Sequence, residues 1–207
     1  MDWISSDSHW NHTNICKGIS SWTSGMCRDF PTLEKMNTAI IKTINDHVMQ
    51  DDTFYHLGDW SFGGIESIWK FREQLNCKHV ILILGNHDTH IENDKVLPNQ
   101  DCYRNGNWIT AKELFKEVYS YYELKVGKQK LILHHHPIDH WRDAEKGSIM
   151  LHGHCHGSIN NCITNTKFRR MDVGIDWPEF RPYTIDEVIT KMNKRPVYER
   201  HEGNPIK

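Results

Sequence analysis

Five short groups of residues carry the chemistry of this chain. They are Asp7-Ser8-His9, Gly58-Asp59, Gly85-Asn86-His87-Asp88, the run His134-His135-His136-Pro137, and Gly153-His154-Cys155-His156. Each sets imidazole, carboxylate or amide oxygen beside a glycine, a proline or a tight turn. Asn86 offers a neutral oxygen ligand, His87 a proton near neutral pH, and Asp88 a carboxylate to orient that imidazole. Gly85 lets the backbone turn sharply and approach a ligand. Taken singly, each group also reads as polar punctuation: Asp-x-His is a common turn, and Asn-His-Asp after a core strand needs no function. Taken together they are a strong signal. The chain holds fifteen histidines, and many of them fall at the ends of predicted strands.

The elements that must position these groups follow from hydrophobic pattern. Val80 to Leu84 is an unbroken apolar run, the signature of a strand buried on both faces, and Gly85 follows at once. Met1 to Ser6 and Thr53 to Leu57 read as strands ending at Asp7 and Gly58-Asp59. In an extended segment, Asp7 and His9 would point the same way. Thr32 is placed to cap a helix, with Leu33, Met36, Ile40, Ile41, Ile44 and Val48 as its apolar stripe. Gly63-Gly64 opens a second helix with Ile65, Ile68, Trp69, Arg72 and Leu75 on one face. The order β-α-β-α-β predicts parallel strands joined by crossover helices. Ligands of such sheets sit at the carboxyl ends of the strands. Beyond residue 89 the pattern is polar, with a short helix predicted over 111–118. A hairpin over 121–134 turns at Gly127-Lys128, short strands are predicted over 148–151 and 167–173, and a closing helix runs from Ile185 to Met192. Cys155, between two histidines, is expected to alternate to the far side of an extended segment as a buried small residue.

Length and composition bound the function. The 207 residues suggest one domain over 1–207, with a polar tail about 194–207 that is expected to be loose. With a formal net charge of −2, nothing favours long nucleic acid or a membrane surface. No stretch has transmembrane length, and Met1-Asp2-Trp3-Ile4 is no signal peptide. The six cysteines are scattered, without a C-x-x-C pair. Free thiols in a reducing, cytoplasmic setting are the expectation.

The ligand types fix the class of chemistry. Imidazole, carboxylate and one amide oxygen suit Mn, Fe, Zn or Co better than Ca or Mg, with no thiolate needed. There are too many candidates for one ion. Two ions about 3.5–4 Å apart, sharing a carboxylate, would use them all, lower the pKa of a bridging water and clamp an in-line displacement at phosphorus. His87 is then left to protonate a leaving group.

The series Asp7-x-His9, Gly58-Asp59, Gly85-Asn86-His87-Asp88, His135 and Gly153-His154-x-His156 resembles the calcineurin-like metallophosphoesterases, over residues 5 to about 157 and in family order. His12-x-Asn14, Tyr55-His56-Leu57-Gly58-Asp59, the His-x-Pro form of the fourth motif followed by Trp141, and Asp172-Val173-Gly174-Ile175-Asp176 resemble small bacterial and phage members. The resemblance implies an α+β or α/β fold, a four-layer sandwich of two mixed β-sheets packed face to face with helices outside. It implies that Asp7, His9 and His156 hold one metal, that Asn86, His135 and His154 hold the other, and that Asp59 bridges them. His135 is chosen from its triplet by the His-x-Pro register, with His134 and His136 as packing or supporting residues. The two divalent ions would be Mn first, with Fe, Zn, Co or Ni as alternatives. His87, held by Asp88, would be the general acid to a metal-bridging hydroxide. His12 and Arg28, in loops beside the first motif, are expected to contact substrate.

The departures narrow the activity. Protein serine/threonine phosphatases of this superfamily read Gly-Asp-x-x-Asp-Arg-Gly and Gly-Asn-His-Glu. Here the chain reads Gly58-Asp59-Trp60-Ser61-Phe62-Gly63, and its third motif ends in Asp88. The expected substrate is therefore a small phosphate ester, a phosphodiester or nucleotide ahead of a phosphoprotein. Two alternatives are a catalytically weak metal-binding interaction scaffold and a nuclease on single-stranded nucleic acid. The second rests only on Arg169-Arg170 and scattered lysines. Trp10, Trp60, Trp141 and Trp177 would wall the pocket or pack the core.

Overall fold

The computed structural model describes residues 1–21, 27–97, 99–158, 167–176 and 179–199. Along these the strands are β1 (Asp2–Ser5), β2 (Thr53–His56), β3 (His79–Ile83), β4 (Tyr103–Arg104), β5 (Asn107–Trp108), β6 (Glu117–Tyr119), β7 (Tyr122–Val126), β8 (Gln129–Leu133), β9 (Ile149–His152), β10 (Arg170–Asp172) and β11 (Tyr183–Thr184). The helices are α1 (Leu33–His47), α2 (Ile65–Glu73), α3 (Thr89–Glu92) and α4 (Ile185–Met192). Two mixed sheets result. The first has the order β11-β1-β2-β3-β6, parallel except for β11. The second has the order β10-β9-β8-β7, parallel except for the β7–β8 hairpin. β4 and β5 form a separate two-stranded ribbon.

Side-chain alternation explains why the sheets stack. Along β3, Ile81 and Ile83 face one way, and Val80 and Leu82 the other. Ile81 and Ile83 join Ile4, Tyr55 and Leu57 in a core shared with Leu131, Leu133, Ile149, Leu151 and Val173 of the second sheet. Val80, Leu82 and Phe54 lie on the opposite face, under Met36, Ile40 and Ile44 of α1 and Ile68 and Phe71 of α2. The all-apolar run of β3 is thus buried on both faces, as its composition predicts. On the outer face of the second sheet, Ile132 and Met150 are covered by Trp141 and Ala144, with Phe168 and Tyr198 against them. Among the described residues a 3₁₀ turn at Ala144–Lys146 stands where a helix would complete this layer.

Local signals set the element ends. The Thr32 side chain accepts from the Lys35 amide and starts α1. Thr184 and Glu187 form a reciprocal capping box on α4. One prediction fails: residues 111–118 are not a helix. Lys112–Leu114 is a single 3₁₀ turn, and the chain then extends into β6, which pairs with β3. Pairing with the buried strand satisfies backbone groups that an isolated two-turn helix would leave open. The strand predicted over 167–173 is confined to β10. Trp10, Trp60 and Trp141 are all core residues, whereas Trp177, Cys162 and the tail from 200 lie outside the described residues. No helix among them is long and apolar enough to cross a membrane, and cysteines 16, 27, 77, 102 and 155 are free thiols.

The face-to-face core yields a test. Leu133 is fully buried between the sheets. Leu133→Ala is expected to cost about 2–5 kcal/mol, read as a lower urea midpoint with an unchanged slope.

Candidate metal centre

The carboxyl ends of β1, β2 and β3 in the first sheet and of β8 and β9 in the second meet along one edge. The backbone stitches them together there. The amides of Asp7 and His9 donate to the carbonyls of Gly58 and Asp59, Gly153 donates to His135, and Ile175 donates to Ser6. Two glycines make the approach possible. A Cβ on Gly85 would stand 2.3 Å from an Asp59 carboxylate oxygen, and one on Gly153 would stand 1.8 Å from the Ser6 hydroxyl.

Two adjoining sets of ligand atoms result. Asp7, His9 and His156 present theirs to one another within 4.8 Å, and so do Asp7, Asp59 and His135. His156 Nε2 lies 3.2 Å from His9 Nε2. In the second set, Asn86 Oδ1 lies 3.0 Å from His135 Nε2 and 2.9 Å from His154 Nδ1. Asp59 stands between the sets, with Oδ2 3.4 Å from both His9 Nε2 and His135 Nε2. A third group gathers His135 and His154 with His136. The exposed His136 ring lies 4.3 Å from that of His154, so a residue given only a packing or supporting role borders the site.

The outer hydrogen bonds show that the donor set fits a cation. His135 Nδ1 is 2.7 Å from the Leu57 carbonyl, and His156 Nδ1 is 2.6 Å from Asp176 Oδ2. Each Nδ1 must carry the proton there, which turns the Nε2 lone pair inward. Inward nitrogen lone pairs beside carboxylate and amide oxygens repel one another unless a proton or a metal ion lies between them. Without an ion, protons take that place. Burial alone would lower His135, but its hydrogen bond to Asp59 raises it to about 9. Burial would raise Asp59, but His135 holds it well below the usual carboxylate range. Burial pushes Asp7 up to about 7 and drives His9 well below its ordinary value. A divalent ion would replace these protons.

Several expectations need correction. Asp7 and His9 converge, but not by strand alternation. β1 stops at Ser5, and Asp7 (φ 55°), His9 (φ 45°), Asp59 (φ 54°), His154 (φ 68°) and His156 (φ 46°) all sit in the left-handed region. Asp and His tolerate it better than most residues, at about 1–3 kcal/mol each. For the same reason Cys155 lies in a turn rather than an extended segment. It is half-buried, and burial pushes its thiol up to about 11. Asp88 does not hold His87. Its carboxylate is buried and accepts from the amides of Asp59, Trp60 and Gly85 at 2.8–2.9 Å. The short Gly85–Asp88 turn directs it at the amides of the β2 loop.

Arg28, expected to contact substrate, is committed to partners within the protein. It is buried, and its guanidinium donates to the carbonyls of Asp7 and Ser8 (2.7 Å for the latter) and to both oxygens of Asp176. It clamps the turn that carries Asp7, while Asp176 neutralises it and orients His156. Asp176 was visible in sequence only as the end of an Asp-x-Gly-x-Asp run. His12 is buried too. It stacks on Phe62 at 3.7 Å and meets His9 Nδ1 at 3.2 Å, and burial lowers it to about 4. His12 thus braces His9. His87 is exposed; its amide donates to Asp59 Oδ1 at 2.9 Å, and its ring lies 5.6 Å from that of His9.

The clamp predicts how Arg28→Ala fails. Removing one partner of a buried ion pair strands the other, at about 3–5 kcal/mol. The variant should lose stability in urea and bind Mn²⁺ more weakly by calorimetry. Normal stability and metal binding with a raised KM would return Arg28 to the substrate side.

The chain resembles known proteins over most of its length. The chain is 26% identical over 199 residues to uncharacterized protein MJ1445 of Methanocaldococcus jannaschii, covering 94% of this chain and 93% of that one. It is 28% identical over 219 residues to the gene 66 protein of Mycobacterium phage D29, covering 92% and 95%. Among solved structures, the protein of unknown function AQ665 from Aquifex aeolicus superimposes with a TM-score of 0.62 at 20% identity, over 92% of this chain and 98% of that one, which shows a shared fold. The family model for calcineurin-like phosphoesterases matches residues 3–186. With its ligand-type residues gathered at one sheet edge inside that span, the chain belongs to the calcineurin-like phosphoesterase family.

Proposed function

We propose that this protein is a dimetal hydrolase of a small phosphate ester, a phosphodiester or nucleotide ahead of a phosphoprotein. The observation that carries the reading is Asp59, equidistant from the His9 and His135 imidazoles at the junction of two ligand sets. Asp7, His9 and His156 would hold one ion, Asn86, His135 and His154 the other, and Asp59 both. Two divalent ions, Mn first, would supply Lewis acidity toward water and toward phosphoryl oxygens. Fe, Zn, Co and Ni suit the same donors.

The chain supplies the rest. His87 stands on the open side of the centre, outside the close ligand contacts, with its backbone fixed to Asp59. In our reading it protonates the leaving oxygen as the bond to phosphorus breaks. Asp88 acts beneath it by holding the β2 and β3 loops in register. Arg28, His12 and Asp176 are positioning residues. The full complement of ligands favours an enzyme over an inert scaffold. The nuclease alternative loses support because Arg169 donates to the carbonyls of Gly147 and Arg195, and Arg170 to Ile138 and Asp139.

Metal content is the first test. Mn-reconstituted protein should hold about two ions per chain by elemental analysis, and Asp59→Ala should lower occupancy more than any other single ligand change. Folded protein that reproducibly holds none would end the dimetal reading. The same material is to be screened on nucleotides, cyclic nucleotides and model mono- and diesters.

His87→Ala separates chemistry from metal binding. Both ions should remain, while the rate on a nucleotide diester falls about 10²- to 10⁴-fold. A nitrophenyl ester should lose less, because nitrophenolate leaves without a proton. Equal losses would mean that His87 stabilises phosphoryl charge instead. Loss of metal would place it among the ligands.

A further inference from the structure

The loop after β8 brings a third imidazole to the second ligand set. The His134 amide donates to the Leu151 carbonyl, and the Gly153 amide donates to the His135 carbonyl. The His134 ring then reaches across two residues, with Nδ1 2.8 Å from the His136 carbonyl. Pro137 follows and disfavours the helical region for His136. The backbone that carries His136 is thus held from both sides. The chain also bends at His135-His136. An extended strand would send these neighbours to opposite faces. Here their ring centres lie 4.9 Å apart.

The spacing is that of imidazoles sharing an ion. Nitrogen about 2.0–2.1 Å from a metal puts two adjacent imidazole centres about 4.5–5.2 Å apart, as the bond angle opens from octahedral to tetrahedral. The centres of His135 and His154 are 5.2 Å apart, and those of His136 and His154 are 4.3 Å apart. His9 and His156, proposed for the first ion, stand at 4.9 Å. One ligand atom from each of His135, His136 and His154 lies within 4.8 Å of the others. Among the described residues no hydrogen bond holds the His136 ring. It is exposed, so it is free to turn the remaining distance. Its histidine neighbours are spent otherwise: His134 faces a carbonyl, and His140 pairs with Glu145 at 2.7 Å. A ring kept for packing would be buried, and this one is not.

We infer that His136 is a further ligand of the second metal position. Three imidazoles there tune that position toward Ni, Co or Zn relative to Mn. Imidazole suits these ions, and affinity at a given site rises from Mn along the first row. The first position has His9 and His156 beside carboxylates and lacks a third nitrogen ligand. The inference rests on the dimetal reading and deepens it.

The experiment uses the full chain, stripped of metal, with the variants His136→Ala and His136→Gln. Ni²⁺ and Mn²⁺ are titrated by calorimetry, and the urea midpoint checks folding, which an exposed position should leave unchanged. Removing even an outer partner of a metal ligand costs about 10- to 100-fold in affinity. His136→Ala should therefore weaken Ni²⁺ at one of the two positions by about 10- to 100-fold, and Mn²⁺ by less. Glutamine offers an amide oxygen in place of nitrogen, so His136→Gln should restore Mn²⁺ affinity without restoring that for Ni²⁺. NMR of protein carrying isotope-labelled histidine reads the bond directly. On loading with Zn²⁺, the His136 ring nitrogens should shift together with those of His9, His135, His154 and His156. Their signals are identified by their loss in His136→Ala. Unchanged affinities in His136→Ala, an equal loss for both metals, or a His136 ring that Zn²⁺ does not shift would overturn the inference and leave the dimetal reading intact. Folded wild-type protein that binds neither metal would end both. Ni²⁺ affinity that depends on His136, in protein that hydrolyses no phosphate ester, would uphold the ligand and end the phosphoesterase reading alone.

Discussion

Buried carboxylates that accept backbone amides from a neighbouring loop are the interaction on which the site depends. Asp88 joins the β3 loop to the β2 loop through Gly85, Asp59 and Trp60. Asp59 takes the His87 amide, and Asp7 takes the His154 amide with both oxygens at 3.0 Å. Asp172 holds the amides of Gly157 and Gly174 at 2.8–2.9 Å. Charge-assisted bonds of this kind are about twice as strong as neutral ones, and here they hold loops whose residues sit at positive φ. Strain at five proposed ligand positions persists only because such bonds over-determine the backbone. One stitch, Asp7 to His154, also crosses from the first sheet to the second, so the two halves of the centre are fixed relative to each other.

Much of this was legible in sequence, for a physical reason. Strands β1 to β3 and helix α1 are amphipathic or fully apolar at their proper periods, and α4 begins with its cap. Three ligand groups, at Asp7, Asp59 and Asn86, follow directly on β1, β2 and β3. The second sheet came only from the family resemblance. Its strands are short, and β10 lies eighteen residues beyond β9, so no local pattern says that they pair. Residues 111–118 were misread because β6 owes its extended form to β3, far away in sequence.

The direction of side chains was the least readable feature. The unbroken apolar run of β3 correctly predicts burial on both faces. Alternation fails at Asp7, His9, His154 and His156 because a left-handed residue breaks the period of two. Arg28 and Asp88 were misassigned for a related reason. Their types suit phosphate binding and imidazole orientation, but both are spent on backbone groups, a use that leaves no mark in the spacing. Asp176 shows the opposite case, a carboxylate distant in sequence that fixes a ligand histidine through Nδ1.

In the proposed centre, two divalent ions face only two ionised ligands, Asp7 and Asp59. Asp88 is absorbed by backbone amides, and Asp176 is balanced by Arg28. The pocket thus keeps a net positive charge that a phosphate dianion would neutralise, in a setting where burial leaves little screening. Arg28, turned inward and paired, adds nothing to that charge and instead fixes the Asp7 turn. The Trp60-Ser61-Phe62-Gly63-Gly64 segment follows Asp59 directly. Trp60 is buried there, packed at 4.5 Å on Phe71, and it anchors the segment to the core. A loop anchored in this way keeps the Phe62 ring against those of His12 and His87, at 3.7 and 4.7 Å, so the segment that follows the proposed bridging ligand also braces two histidines beside the centre.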